Sequence, residues 1–137
     1  MKEIDRAIMA DLLDDLATLC YENARSKGFW ESETELVTAI SDLPNGEAMG
    51  QRIMQLHDIE KVALEHSELS ERLERLRKDP NKMDEHCPEF LNLEIEAADL
   101  IIRVMDWCGR RNLRIGEAVM AKMKYNATRE YKHGKSF

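Results

Sequence analysis

Two pairs of acidic residues spaced three apart, Glu65-x-x-Glu68 and Glu96-x-x-Asp99, lie inside stretches whose apolar residues repeat with a helical period. Side chains three apart on a helix share a face, so each pair offers two carboxylates to one region of space. The second pair constrains the fold most. Ile95, Ala97, Ala98, Leu100, Ile101 and Ile102 surround it, and a carboxylate buried among such neighbours is costly unless paired or metal-bound. Whatever packs against that helix must compensate the charge of Glu96 and Asp99. If both pairs met, carboxylates roughly 5 Å apart in a medium of effective dielectric about 20 would repel by about 3 kcal/mol per charge pair. A hard divalent cation with oxygen ligands resolves that repulsion, and Mg²⁺ is the usual one where phosphates are present.

Helical periodicity runs through the rest of the chain. Only three prolines and six glycines occur, and most fall between periodic segments, as helix boundaries should. Ile4, Ile8, Leu12 and Leu16 predict a first helix over about residues 2–26, with Gly28 as its stop. Ser32-x-x-Glu35 resembles a capping box opening a short second helix to about residue 42, and Leu43-Pro44-Asn45-Gly46 reads as a turn. A third helix should begin between residues 47 and 59 and end near 78, with Val62, His66, Leu69, Leu73 and Leu76 as its core stripe. Pro88 suits the first turn of a fourth helix over 88–108, which is apolar on nearly every side and should be the most buried. The fifth is expected over 115–128, and the basic stretch over 128–137 is expected to be a flexible tail. No strand-like alternation of useful length occurs. These readings give one all-α domain over residues 1–137, a bundle of about five helices.

Composition narrows the functions open to such a bundle. At 43% hydrophobic and 34% charged residues the chain is suited to a packed core rather than disorder. The longest apolar run, Leu100-Ile101-Ile102, is broken at once by Arg103, so no membrane span is expected. Met1-Lys2-Glu3-Ile4-Asp5 has no apolar core of a secretory signal, and Cys20, Cys87 and Cys108 form no CxxC, which together suggest reduced thiols in a cytoplasm. A net charge of −7 argues against a dedicated nucleic-acid binder.

Three constellations remain as candidates for chemistry. Glu96, Asp99, Arg103 and Asp106 form one polar stripe on the fourth helix. An intrahelical ion-pair ladder facing solvent is the plain alternative, but the surrounding apolar faces leave it little room. Glu65, Glu68 and Glu71 progress round the third helix, where Arg72, Arg75 and Lys78 could simply balance them. Lys122, Asn126 and Arg129 share a face of the last helix, a combination suited to phosphate oxygens and equally to a solvated basic helix end. Phe29 and Trp30 are either packing residues or a stacking platform for a base. His66 is expected to face the core, and no zinc spacing occurs. A ferritin-like di-iron site needs Glu-x-x-His on two helices, whereas Glu130-x-x-His133 is the one match.

The order of these motifs resembles the MazG-type all-α nucleoside triphosphate pyrophosphatases. Their signature is E-E-x-x-E, a variable linker, E-x-x-D, and a late Lys and Asn. This chain reads Leu64-Glu65-His66-Ser67-Glu68, then Glu96-Ala97-Ala98-Asp99, then Lys122-Met123-Lys124-Tyr125-Asn126, with Leu64 where the signature has its first Glu. The closing Lys122-to-Lys135 segment is similar to short, single-module MazG-like proteins of phages and bacteria, as is Glu22-Asn23-Ala24 followed by Lys27-Gly28-Phe29-Trp30. The resemblance runs from about residue 21 to the end. It implies hydrolysis of a (d)NTP to (d)NMP and pyrophosphate in nucleotide pool control. It further implies Mg²⁺, with Mn²⁺ as a substitute, held by Glu65, Glu68, Glu96 and Asp99, with Glu71 orienting a water. Lys122, Asn126 and Arg129 would hold the triphosphate, and Asn23 and Trp30 would meet the base. Such proteins complete their core as homodimers or homotetramers, here in a bacterial cytoplasm or that of a phage's host. A non-catalytic helical module that senses nucleotides or binds partners is the alternative expectation, kept open by Leu64.

Overall fold

The computed structural model describes residues 5–130, which form five helices: α1 (Arg6–Ser26), α2 (Glu31–Ile40), α3 (Gly46–Lys78), α4 (Asn92–Arg110) and α5 (Ile115–Ala127). Among the described residues the only strand-like pairing is a single antiparallel bridge between Met83 and Leu91. The all-α reading therefore stands. From residue 131 onward the expected basic tail lies outside the described residues.

Local chemistry explains where most helices stop and start. At the end of α1 the Phe29 N–H donates to Ala24 O (3.2 Å) and the Gly28 N–H to Arg25 O (3.0 Å). This is a Schellman closure with Gly28 at φ 84°. The end of α4 repeats it, with Leu113 N–H on Cys108 O (3.0 Å) and Asn112 at φ 51° in the left-handed position. Between α2 and α3 the expected turn forms, closed by Gly46 N–H on Leu43 O (2.8 Å).

Two helix starts differ from expectation. No capping box forms at Ser32; α2 begins at Glu31, and the Trp30 carbonyl accepts the Thr34 N–H (3.2 Å) and Thr34 Oγ1 (2.9 Å). Burial of Trp30, rather than Ser32, sets that boundary. Likewise α4 begins at Asn92 and not at Pro88. Residues 87–90 close a turn (Phe90 N–H to Cys87 O, 3.0 Å), and Glu94 then reaches back to cap the Leu91 N–H at 2.7 Å.

The helices pack in the order α5, α1, α4, α3, α2. Ala17, Cys20, Met105 and Cys108 form the buried centre between α1 and α4, with Leu13, Leu16, Val104, Trp107 and Ile115 packed around them. The two backbones touch at Gly109, where an added Cβ would lie 2.3 Å from Ala17 O.

The outer faces overturn part of the expected core. On α3, Val62, Leu69, Leu73 and Leu76 are 44–50% exposed, and His66 is exposed too. The helix turns Glu68, Arg72 and Arg75 inward instead. Nor is α4 buried on every side, since Ile101 and Ile102 are exposed while Glu96 and Asp106 are buried. The accessible surface is 10609 Å², against about 7,400 Å² for a compact monomer of this mass.

Candidate functional site

Between α3 and α4 the two acidic stretches meet. Ligand-capable oxygens of Glu68, Glu96 and Asp99 all lie within 4.8 Å of one another. Glu68 and Glu96 are buried, whereas Asp99 is exposed at the mouth. The solvent-facing ladder along α4 does not form. Arg103 instead crosses to α3 and pairs with Glu68, and Arg75 Nε of α3 donates to Glu96 Oε1 at 3.1 Å. Three carboxylates thus share two guanidinium groups. Burial, then the charges of Glu68 and Glu96, push the Asp99 carboxyl above its ordinary range.

Glu65 does not join that set. It is half-buried, burial raises its carboxyl, and its charge reaches the Cys108 thiol. Glu71 is exposed, accepts a 3.4 Å hydrogen bond from Ser67 Oγ, and lines the cleft of about 450 Å³ that opens from Glu96 and Asp99. The far side of that cleft is the 82–87 turn. Its Asp84 accepts the backbone N–H groups of His86 and Cys87 (both 2.9 Å), with Cys87 the stronger influence in holding the carboxyl below its usual range.

The remaining expected site residues lie elsewhere. Trp30 is 1% exposed, and its Nε1 donates to Asp106 Oδ1 at 2.7 Å. Lys61 Nζ sits 4.1 Å from its ring centre, and the His57 ring packs edge-on against it. These neighbours leave no face on which a base could stack, so Trp30 is a packing residue. Asn23 is exposed on α1, where its carbonyl accepts Ser26 Oγ at 2.7 Å. Lys122, Asn126 and Arg129 are exposed, and Lys122 Nζ rests 4.9 Å from the Tyr125 ring centre. Their helix packs on α1 and shares no packed face with α3, so one chain does not bring them to the carboxylates.

A second polar cluster was not foreseen. Glu33 is fully enclosed and receives Arg110, Arg111 and His57 Nδ1 (2.8 Å for His57). Burial works to raise its carboxyl, but the hydrogen bonds from Arg111, Arg110 and His57 outweigh it and hold the pKa at about 2. Asp58 ties in through Arg111 Nε (2.7 Å) and Trp107 Nε1 (2.8 Å). The signal for this cluster was Arg110-Arg111 directly after an apolar helix, since cations at that point need buried partners if the helix end is packed. Asn92, which lines the acidic cleft, was missed because nothing in its local pattern marks it. The chain matches no family model, no curated protein and no solved structure.

Proposed function

We propose that the protein is a Mg²⁺-dependent nucleoside triphosphate pyrophosphohydrolase of the MazG type, converting a (d)NTP and water to (d)NMP and pyrophosphate. The observation that carries this reading is the convergence of Glu68, Glu96 and Asp99 within 4.8 Å across two helices. Hard oxygen donors at that separation suit a small divalent cation, with Mn²⁺ able to replace Mg²⁺. When bound, the metal neutralises phosphate charge and lowers the pKa of a coordinated water. Glu68, Glu96 and Asp99 would hold it, with Glu65, expected as a fourth ligand, outside their cluster. Arg75 and Arg103 pair with the buried carboxylates of Glu96 and Glu68 and fix their direction, so the donor set is arranged before substrate arrives. Glu71, at the cleft rim, is placed to orient a water.

The same reading includes a homodimer. Its support is the exposed apolar stripe of α3, the exposed Ile101 and Ile102 of α4, and the surplus surface. A stable dimer needs about 600–1,000 Å² from each partner, and these faces can supply it. A second copy is also where Lys122, Asn126 and Arg129 would meet the triphosphate.

Incubating the purified chain with a panel of NTPs and dNTPs in Mg²⁺ tests the activity. Release of pyrophosphate and nucleoside monophosphate is expected, with Glu96→Gln slowing turnover by about 100-fold or more. No product from any nucleotide, with a folded and metal-replete sample, overturns the reading. Sedimentation should give twice the 15.9 kDa chain mass. A non-catalytic nucleotide-binding module is the second reading. It is favoured by the Arg103–Glu68 and Arg75–Glu96 pairs, which already offset much of the acidic charge; it expects bound nucleotide and no product.

A further inference from the structure

Asn92 opens α4 at the base of the acidic cleft and is 6% exposed. Its Nδ2 donates to Asp84 Oδ2 at 3.3 Å, and its backbone N–H donates to Lys82 O at 2.8 Å. Its Oδ1 is buried without any hydrogen-bond partner. Leaving a buried acceptor unpaired is costly. Turning the amide over does not relieve it, because Oδ1 would then face the Asp84 carboxylate, which is an acceptor only. Asp84 is itself pinned by the backbone N–H groups of His86 and Cys87. The turn therefore holds the amide in the one orientation that leaves a carbonyl oxygen wanting a donor.

The position of that acceptor identifies what it meets. Asn92 lines the same cleft of about 450 Å³ as Glu96 and Asp99. Along α4 it lies about 6 Å from Glu96 and about 10 Å from Asp99, at 1.5 Å per residue. With phosphates at the carboxylate end, that distance falls beyond the α-phosphate, on the nucleoside. We infer that the space between the acidic cluster and the 82–87 turn is the nucleoside subsite, with Asn92 Oδ1 accepting a hydrogen bond from an N–H of the base. This assignment rests on the pyrophosphohydrolase reading for its placement of the phosphates. Because Oδ1 is buried, the proposed contact requires the 82–87 turn to shift on binding.

The test compares wild type and Asn92→Ala with three probes in Mg²⁺: a nucleoside triphosphate, ribose 5-triphosphate without a base, and inorganic tripolyphosphate. Asn92→Ser, which keeps a small polar side chain at the first helical residue, replaces the alanine variant if that one fails to fold. The expected result is a loss of about tenfold in kcat/KM for the nucleotide, matching one hydrogen bond, with the two baseless probes unchanged. Equal losses on all three would make Asn92 a structural residue, and no loss on any would remove it from the site. Either overturns the inference. A loss shared by nucleotide and ribose triphosphate, but not tripolyphosphate, would move the contact to the sugar and overturn the base assignment. If wild type hydrolyses nothing, the pyrophosphohydrolase reading has failed by itself. Calorimetry with a non-hydrolysable α,β-methylene nucleotide then decides the subsite: about tenfold weaker binding to Asn92→Ala supports it, and equal or absent binding overturns it.

Discussion

Two clusters of partly enclosed charge lie along α4, one near each end, and their balances differ. Around Trp30, the carboxylates of Glu33, Asp58 and Asp106 face the cations of Arg110, Arg111 and Lys61, with His57 completing the bonds to Glu33. In the α3–α4 cleft, Glu68 pairs with Arg103 and Glu96 with Arg75, while Asp99 makes no ion pair among the described residues. The first cluster ties α2 and α3 to the end of α4 and has no opening for a ligand at Glu33. The second leaves Asp99 without an ion pair at the mouth of a cleft. Burying ions is tolerable when each has a partner and hydrogen bonds to match. An unpaired carboxylate stabilises nothing by itself, and a bound cation would compensate it.

That contrast predicts opposite answers to the same kind of substitution. Glu33→Ala leaves Arg110 and Arg111 without their shared carboxylate, so it should destabilise the fold by about 3–5 kcal/mol. Urea denaturation checks it, and a loss below about 1 kcal/mol would mean the cluster is solvated and not structural. Acid should act through the same group. Since the Glu33 pKa falls from 4.5 to about 2 on folding, its contribution is present above the unfolded value. It disappears as the pH drops from about 4.5 towards 2, with a magnitude on the order of 3 kcal/mol. The urea midpoint followed over that window should fall steeply in wild type and less steeply in Glu33→Ala. Metal should act only at the other cluster: a native-state ligand at 100 times its Kd raises stability by about 2.7 kcal/mol. Thermal melts with and without Mg²⁺ measure it, and an unchanged midpoint at saturating metal would count the cleft as an ordinary acidic surface.

How far these clusters could be read from the residues depends on whether the determining interaction is local. Gly28 as a stop and the 43–46 turn were legible because caps and turns are set by a few neighbouring residues. The meeting of Glu68 with Glu96 and Asp99 was legible because helical period fixes a shared face, and the apolar neighbours of Glu96 demanded a partner. The inward face of α3 was not. Val62, Leu69, Leu73 and Leu76 make an apolar stripe whichever surface covers it, and the described residues leave it about half exposed. Trp30 was ambiguous for the same reason, since Asp106, Lys61 and His57, all distant in sequence, decide its environment. Pro88 misled because a proline suits a turn as well as a first helical turn, and Asp84 settles the choice by tying residues 84–87 into a turn.

The smallest effect is the most discriminating, because its sign differs between the clusters. Asp99 is the carboxylate with no cation of its own, and its carboxyl is raised by burial and by Glu68 and Glu96. An acid whose pKa rises on folding costs stability when it is ionised at neutral pH. Asp99→Asn should therefore raise the metal-free melting temperature slightly, by an amount equivalent to less than about 1 kcal/mol because the exposed side of the cleft screens the repulsion. With Mg²⁺ the ranking should reverse, since wild type gains a ligand that the variant has lost. Paired melts in chelator and in Mg²⁺ provide the measurement. Should Asp99→Asn melt below wild type in chelator, as the Glu33 substitution is expected to do, the cleft would be a closed ion-pair cluster like the one around Trp30, and the unpaired charge that invites a metal would not exist.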